Sequence, residues 1–319
     1  MPSLPFPVVT DDVVYAQFSY DRVVEAMQAA FAERAAGTLE APPRWHVSAG
    51  DGDLVFTAGA ATGRVNAAGF RIYETFPAAE HERTELVAVY DATNGAFDGL
   101  FVGHAIGGLR TGGIGGVAVD CLAREDATSL GVLGAGFQAR SQVGAACAAR
   151  SFDSVAVYSP TPERREAFAE TVDGEVDPPV YPLEDPESVV SNADVLLCAT
   201  NSREPVFDPD WLAPGTHVTT IGAKFADVHE LPPAVLDRAA VIATDSLPQV
   251  EADHADRPSI FARTDADRDR LVELADVLDG AATGRTSDED VTLFWSVGLA
   301  GTEVVLGSRL LDRIDATDR

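Results

Sequence analysis

From residue 128 onward, short apolar runs alternate with stretches of helical periodicity, and polar or proline-marked loops separate them. Continuous apolar runs of this length are typical of strands that are buried on both faces, and helices between them connect strands that run parallel. The pattern therefore predicts a parallel sheet with helical crossovers. Strands are predicted over residues 130–133, 154–158, 194–199, 217–221 and 240–244, and a helix over residues 163–171.

The first third of the chain shows a different, strand-rich pattern. A helix is predicted from an N-cap at Ser19 to about Ala36, because Val24, Met27 and Phe31 share one helical face. The change of pattern predicts a domain boundary near residue 122. Strands are predicted over residues 53–57, 69–73, 85–91 and 100–102, the last two flanking the hairpin dipeptide Asn94-Gly95.

Two further segments carry local signals. Residues 107–116 contain six glycines, and each would destabilise a helix by about 1 kcal/mol relative to alanine. The segment is therefore predicted to be non-helical: a close backbone approach to a ligand, a mobile hinge or a flexible linker. Residues 287–290 resemble a capping box with Asp in place of Glu, which predicts the start of a long helix.

The most specific motif is Gly-x-Gly-x-x-Ala at residues 134–139, which joins the strand predicted over 130–133 to an alanine-rich helix. Gly134 permits a sharp turn, Gly136 leaves no side chain between the backbone and a pyrophosphate, and Ala139 lets the helix pack closely on the strand. The phosphates would face free N–H groups and the positive end of the helix dipole. A second predicted strand follows about 20 residues later, as in dinucleotide-binding domains. We therefore expect a dinucleotide site, with a structural tight turn as the alternative.

Ligands of parallel sheets bind beyond the carboxyl ends of the strands. Residues that follow the predicted strands are therefore expected to line the same cleft as the glycine motif. The predicted cofactor contacts in this part of the chain are Gly134, Ala135, Gly136, Phe137, Gln138, Ser159, Thr161, Arg164, Ala199, Thr200, Asn201 and Gly222.

The end of the second predicted strand bears on the choice between NAD and NADP. An NAD site usually carries Asp or Glu there, whereas this chain has Ser159-Pro160-Thr161 with Arg164 and Arg165 nearby. No carboxylate stands there to repel a 2′-phosphate, and the hydroxyls and arginines are able to bind one. The sequence thus favours NADP, and the alternative is that both arginines are surface residues of a helix.

The charge balance is extreme, with 23 basic residues against 51 acidic ones and a net charge of −28. Nucleic-acid binding relies on a basic patch, so this composition argues against it. Because 46% of the residues are hydrophobic, a folded core with an acidic surface suited to high salt fits better than disorder. The six histidines lack metal-ligand spacing, so no metal site is predicted.

The same composition bears on the cellular compartment. The sequence has no signal-peptide pattern and no apolar run of about 18 residues, so we expect no membrane span. Its three cysteines lie in apolar segments without metal-ligand spacing and are interpreted as buried thiols. We therefore expect a cytoplasmic protein of a halophile.

Taken together, several segments resemble the ornithine cyclodeaminase and mu-crystallin family. In the family's order they are Pro43-Arg44, Arg110-Thr111, residues 130–139, Ala199-Thr200, the run from Trp211 to His217, Ile221-Gly222, Glu230-Leu231, Gly284-Arg285 and residues 294–298. The resemblance implies an α/β fold with a Rossmann-type parallel-sheet domain, residues 123–301, and an α+β domain for substrate binding and dimerisation, residues 1–122 with 302–319. It further implies a homodimeric, NAD(P)-dependent enzyme that acts on small amino or imino acids.

The resemblance also assigns roles to residues of the first third. Arg44 and Arg110 would hold the substrate carboxylate, which a planar guanidinium binds in a bidentate way. Arg110 and Thr111, and more loosely Arg83 and Thr84, align with cofactor contacts. A surface arginine is the alternative for Arg44 and for Arg110, and a solvated turn is the alternative for Arg83 and Thr84.

Two positions depart from the family pattern. Arg71 stands where the family usually has a catalytic lysine; it can bind a carboxylate, but it cannot act as a general base near neutral pH. Lys224, the only lysine among the 23 basic residues, replaces the aspartate of the cyclodeaminase branch and would repel the distal ammonium of ornithine. We therefore predict that Arg71 and Lys224 exchange the family's roles, with a desolvated Lys224 moving the proton. The alternative is that Lys224 is an exposed replacement in a branch that has lost this chemistry.

Three functions remain open at this point. The leading hypothesis is hydride transfer between NAD(P)H and the C–N carbon of a small imino or keto acid, as in alanine dehydrogenases and ketimine reductases. The second is a cyclodeaminase-type lyase that keeps NAD bound and releases ammonia, and the third is a non-catalytic, mu-crystallin-like binding protein. The motifs do not select the substrate side chain, because that choice depends on pocket shape.

Overall fold

The structure is a computed structural model that describes residues 5–76, 84–260 and 269–317. The chain forms two compact units, Met1–Arg110 with Leu299–Arg319 and Thr111–Gly298. The first unit is therefore built from both ends of the chain. The domain boundaries expected at residues 122 and 302 stay a prediction.

A largely antiparallel sheet forms the centre of the first unit. Its strand order is β1-β7-β6-β5-β4-β2, with β3 paired to β4 and with β1 parallel to β7. The helix predicted from Ser19 is confirmed, and so are the four predicted strands and their hairpin. The elements are β1 (Val8–Thr10), α1 (Asp11–Gln17), α2 (Tyr20–Ala35), β2 (Leu39–Glu40), β3 (Trp45–Ala49), β4 (Gly52–Ala61), β5 (Ala67–Glu74), β6 (Glu85–Asp91), β7 (Phe97–Gly103) and the helix α3 (Ala105–Leu122), which continues into the second unit.

An eight-stranded parallel sheet forms the second unit, in the order β10-β9-β8-β11-β12-β17-β15-β16. This sheet confirms the predicted α/β fold class. The elements are β8 (Ser129–Leu133), α4 (Phe137–Ala149), β9 (Ser154–Tyr158), α5 (Pro162–Asp173), β10 (Val180–Pro182), α6 (Pro186–Ser191), β11 (Val195–Cys198), β12 (His217–Thr220), β13 (Lys224–Phe225), β14 (Val228–His229), α7 (Ala234–Arg238), β15 (Ala239–Thr244), α8 (Leu247–Asp256), β16 (Leu271–Glu273), α9 (Leu274–Asp279) and β17 (Val291–Trp295).

The parallel sheet is covered on both faces, as its uninterrupted apolar strands predict. In β11, Val195 and Leu197 belong to one apolar cluster, while Leu196 and Cys198 belong to another. The strand order changes direction between β8 and β11, because the chain proceeds from β8 to β9 and β10 on one side and returns to β11 on the other. Such a switch point leaves a crevice at the carboxyl ends of the two strands, where ligands of this fold class bind.

The glycine-rich segment 107–116 lies inside the helix α3, so the prediction of a non-helical segment was wrong. The reason is packing against α4. A Cβ atom at Gly112 would lie 2.6 Å from the carbonyl carbon of Ser141, and one at Gly115 would overlap the side-chain amide of Gln142. The Gln142 Nε2 atom also donates to the carbonyl of Thr111 at 3.0 Å. The helix forms because close helix packing offsets the low helical propensity of glycine.

Residues 287–290 do not begin a helix, so that prediction was wrong too. The carboxylate of Asp290 accepts hydrogen bonds from the backbone N–H groups of Thr286 and Ser287, and this closes a turn. The chain then enters β17, which pairs with β12 and β15 at the centre of the sheet and is fully buried. Burial of this strand outweighs the local capping signal.

The last described helix, α10 (Thr302–Thr317), packs against α2 and against strands β4 to β7 of the first unit. Its residues Val304 and Val305 are buried on that sheet. None of the described helices combines the length and the apolar character that crossing a membrane requires.

We predict that Gly112→Ala lowers the free energy of unfolding by about 1–3 kcal/mol, because the added methyl group meets backbone atoms of Ser141 that cannot move independently. Gly174→Ala is the matched control: its Cβ would lie 3.7 Å from the Thr171 carbonyl oxygen, an ordinary contact. The control is expected to stay within about 0.5 kcal/mol of the parent protein. Urea unfolding followed by circular dichroism measures both, and equal midpoints for the two variants would contradict the packing argument.

Candidate nucleotide and carboxylate sites

The turn between β8 and α4 requires a glycine at its first position. Gly134 has a φ of +115°, and its N–H donates to the carbonyl of Tyr158 at the end of β9 at 2.9 Å. A Cβ atom there would lie 2.9 Å from the carbonyl carbon of Ala199, at the end of β11. The glycine therefore brings the ends of three neighbouring strands together at the switch point.

The second glycine of the motif leaves the first turn of α4 accessible. Gly136 is the N-cap, no side chain caps the helix, and a Cβ atom there would meet no other atom within 4 Å. Ala139 is fully buried and lets the helix approach the sheet closely. The Oε1 atom of Gln138 is buried without a hydrogen-bond partner among the described residues. Uncapped N–H groups beside open space fit the pyrophosphate of a dinucleotide.

The end of β9 presents a serine instead of a carboxylate. Ser159 is buried, and Thr161 is the half-buried N-cap of α5 without a side-chain capping bond. Arg164, the predicted contact, is exposed, whereas its neighbour Arg165 is only 5% exposed. The Nη1 group of Arg165 donates to the carbonyl of Ser159 at 3.0 Å.

A buried glutamate that the sequence reasoning did not assign fixes the ends of β11 and β12. Glu230 is fully buried, and its Oε2 atom accepts from the N–H and the hydroxyl of Thr200, both at 2.8 Å. Its Oε1 atom accepts from the Thr220 hydroxyl at 2.8 Å and from the Gly222 N–H at 2.6 Å. A Cβ atom at Gly222 would overlap this carboxylate. Glu230 thus positions two predicted cofactor contacts, Thr200 and Gly222, while Asn201 is exposed.

Lys224 lies beside these strand ends and is 8% exposed, so the alternative of an exposed lysine is wrong. Its ammonium group donates to the carbonyl of Gly222 at 2.7 Å and lies 5.7 Å from the ring centroid of Trp295. The pKa of the nearby Cys198 thiol is raised, first by burial and then by the negative charge of Glu230. The positive charge of Lys224 acts in the opposite direction and lowers this pKa in part. The lysine is therefore held at the carboxyl edge of the sheet by the backbone.

In the first unit, Arg71 forms a buried ion pair with a second unassigned glutamate. The Nε and Nη2 groups of Arg71 donate to Glu85 at 2.8 and 2.7 Å, and the guanidinium lies 4.1 Å from the ring centroid of Tyr73. A Cβ atom at Gly107 would lie 2.7 Å from Nη2, so the first turn of α3 accommodates the pair. Burial opposes the charge of Arg71, but the carboxylates of Glu85 and Glu303 outweigh it and raise the pKa.

Glu303, in the first turn of α10, completes this charge cluster. Its side chain is 1% exposed and accepts from the hydroxyls of Thr57 and Thr302. Burial opposes its ionisation, but the guanidinium groups of Arg110 and Arg71 and the Thr57 hydroxyl lower its pKa. The cluster of Arg71, Arg110, Glu85 and Glu303 thus contains two positive and two negative buried charges.

The sequence could have indicated one of these partners. Arg71 pairs with Val87 across β5 and β6, so Glu85 is its diagonal neighbour on the same face of the sheet. Glu303 gave no such signal, because it is far from Arg71 in the sequence and an acidic residue in the first turn of a helix is ordinary.

The remaining predicted residues lie on separate elements. Arg44 is half-buried in the segment before β3, and Thr84 is exposed immediately before β6. Thr111 lies in α3, with its carbonyl bound by Gln142. Arg83 lies outside the described residues. Within the described ranges, no group of three His, Cys, Asp or Glu side chains is arranged to hold a metal ion.

Comparison with known proteins places this arrangement in context. The family model described as "Ornithine cyclodeaminase/mu-crystallin family" matches residues 8–318. A Delta(1)-pyrroline-2-carboxylate reductase of Bacillus cereus is 30% identical over 233 residues, 72% of this chain and 70% of that protein. An alanine dehydrogenase of Archaeoglobus fulgidus is 28% identical over 304 residues, 94% of this chain and 92% of that protein.

A solved structure has the same fold over nearly the full length. It is the Delta(1)-pyrroline-2-carboxylate reductase of Thermococcus litoralis in complex with NADH and L-proline, with a TM-score of 0.85 and 24% sequence identity. The match covers 98% of each chain.

We predict that Gly136→Val weakens the binding of NADH and NADPH at least 10-fold, because the side chain would occupy the open space in front of the α4 N-terminus. The fold should be unaffected, since Gly136 has a φ of −109° that any residue adopts. Fluorescence titration measures affinity and thermal unfolding measures stability, with Gly174→Ala as the control that leaves both unchanged. Unaltered affinity in Gly136→Val would contradict a pyrophosphate site at this turn.

Proposed function

Because the chain belongs to the ornithine cyclodeaminase/mu-crystallin family, we propose that it is an NAD(P)-dependent oxidoreductase acting on a small amino or imino acid. The reaction is hydride transfer at the carbon of a C–N bond, as the names of its reductase and dehydrogenase relatives suggest. The observation that carries the proposal is the turn at Gly134 and Gly136, which fits a dinucleotide in a chain of this family. The bound nicotinamide supplies or accepts the hydride.

The first unit binds the substrate carboxylate through its arginines. Glu85 engages Nε and Nη2 of Arg71, and among the described residues Nη1 donates to none. Arg71 is therefore held in one orientation with an N–H group available for a carboxylate oxygen. Arg110 and the half-buried Arg44 provide the further guanidinium groups. Glu85 and Glu303 balance the charges of Arg71 and Arg110, so that these side chains remain buried before the substrate binds.

Lys224 moves the proton in this proposal. The raised pKa of Arg71 keeps its guanidinium charged, so Arg71 cannot exchange a proton near neutral pH. Lys224 is buried at the carboxyl edge of the parallel sheet, and the carbonyl of Gly222 holds its ammonium group. A lysine at such a site is able to give a proton to the substrate nitrogen in reduction and to take it back in oxidation.

NADP is the favoured cofactor. The strand β9 ends at Ser159 without the carboxylate that usually binds the ribose hydroxyls of NAD.

The acidic composition of the whole chain supports a cytoplasmic protein of a high-salt organism, because salt screens the self-repulsion of a net charge of −28.

The active form is a homodimer that associates through the outer face of the antiparallel sheet. Register places apolar side chains opposite one another on that face, with Trp45 opposite Phe56, Val47 opposite Leu54 and Ile72 opposite Leu86. Of these, Trp45 and Val47 are 47% and 48% exposed. The other face of the sheet is covered by α10. In a chain this acidic, a sheet face with these exposed apolar side chains is suited to a second copy of itself.

The function is tested by following absorbance at 340 nm in molar KCl, with amino acids, keto acids plus ammonium, and cyclic imines as substrates for NAD(H) and NADP(H). We expect turnover with at least one imino or keto acid. Ammonia release without a net change in absorbance would indicate a lyase instead. Cofactor binding without turnover across the panel would indicate a binding protein, and both results contradict the proposal.

The same assay tests Lys224. We expect Lys224→Gln and Lys224→Arg to lose at least 100-fold in kcat while the affinity for the dinucleotide stays within about 3-fold. Arginine preserves the positive charge but not the ability to exchange a proton near neutral pH. Turnover retained in Lys224→Arg would therefore remove the proton-transfer role.

Dimerisation is tested by light scattering on a size-exclusion column in molar KCl. We expect the parent protein to have twice the mass of one chain and Val47→Asp to shift to the monomer, because the carboxylate would be buried without a partner. Tyr181→Asp is the control, since Tyr181 is 52% exposed but lies in the other unit. A dimer in all three proteins would rule out this face.

A further inference from the structure

Arg165 is a buried guanidinium in the first turns of α5, at the carboxyl end of β9. It is 5% exposed and lies on the helix face that also buries Phe168, Ala169 and Val172. Its Nη1 group donates to the carbonyl of Ser159, while its buried Nε atom has no hydrogen-bond partner among the described residues. The side chain thus extends along the buried face of α5 towards the end of the strand.

The charge of Arg165 is not balanced within the described structure. Across residues 5–76, 84–260 and 269–317, Arg165 forms no ion pair with an acidic side chain. A buried cation without a counter-ion is costly, and in a chain with 51 acidic residues its isolation requires a reason. An anionic ligand would provide the missing negative charge.

The position of Arg165 identifies that ligand. Strand β9 lies next to β8, and the Gly134 N–H binds the carbonyl of Tyr158, the residue before Ser159. In dinucleotide-binding sheets, the side chains at the end of this second strand contact the adenosine ribose. The uncapped N-terminus of α5 lies at the same strand end.

We propose that Arg165 binds the 2′-phosphate of NADP and is the residue that selects NADP over NAD. The inference rests on the proposed function, which it extends from a general cofactor preference to one side chain. Arg164, its neighbour and the contact expected from the sequence, is exposed to solvent, and the proposal assigns the phosphate to Arg165 in its place. Ser159 leaves the strand end free of negative charge, and Arg165 supplies the positive charge that the phosphate requires.

The proposal is tested without hydride transfer by calorimetry with adenosine 2′,5′-bisphosphate and 5′-AMP, two probes that differ only in the 2′-phosphate. We expect the parent protein to prefer the bisphosphate at least 10-fold. Arg165→Met, which keeps most of the side-chain length, should lose this preference while 5′-AMP affinity stays within about 2-fold. Arg165→Lys should retain part of it. Arg164→Met should retain nearly all of it, and a larger loss of preference in Arg164→Met than in Arg165→Met would assign the 2′-phosphate to Arg164 and overturn the proposal.

A purely structural role for Arg165 predicts a different result. Loss of the bond to Ser159 alone would weaken both probes equally and lower the thermal unfolding midpoint, and that outcome overturns the proposal. Equal affinity of the parent protein for NADH and NADPH also overturns it, together with the proposed preference for NADP, but leaves the proposed hydride transfer intact. If neither dinucleotide binds, the proposed function fails, and this inference fails with it.

Discussion

The close approach of β8 and β11 at Gly134 is the constraint on which the nucleotide-binding unit depends. Because Gly134 has no Cβ atom, the turn brings the start of α4 to the switch point, and the Gly134 N–H still donates to the carbonyl of Tyr158 at the end of β9. The same device recurs where Gly222 meets the Glu230 carboxylate and where Gly107 meets the ion pair of Arg71. In each place, the absence of a Cβ atom leaves room for a polar group that occupies a defined position.

Buried carboxylates organise the polar groups of both units. Glu230 connects two strand ends through four hydrogen bonds, and Glu85 and Glu303 hold the arginines of the first unit. Each carboxylate has several donors or a guanidinium nearby, which offsets the cost of removing its charge from water. The buried carboxylates therefore hold hydrogen-bond donors and guanidinium groups at defined positions in the interior.

Much of the fold could be predicted from local sequence, because strand burial and helical periodicity are local patterns. The segment 107–116 could not, since the helix depends on how α4 packs against Gly112 and Gly115. The same holds for the candidate site. The glycine turn could be predicted from its spacing, whereas the roles of Glu230 and Glu303 could not, because their hydrogen-bond partners come from other elements of the fold. Arg165 is buried and Arg164 is exposed because of the face that α5 turns towards the sheet. The sequence does not determine the orientation of this helix precisely enough to distinguish two adjacent residues.

The hydroxyl of Thr57 donates to Glu303 across 246 positions of the chain, and this long span has a consequence for synthesis. During translation the antiparallel sheet emerges first, with Arg71 and Arg110 already present but the glutamate that helps to neutralise them still unmade. Contacts of such long sequence separation form slowly, because a large loop must close before they exist. The ion pairs of the amino-terminal sheet therefore reach their native arrangement only after α10 has been synthesised, so the first and last thirds of this sequence must both be present before the charge cluster is complete.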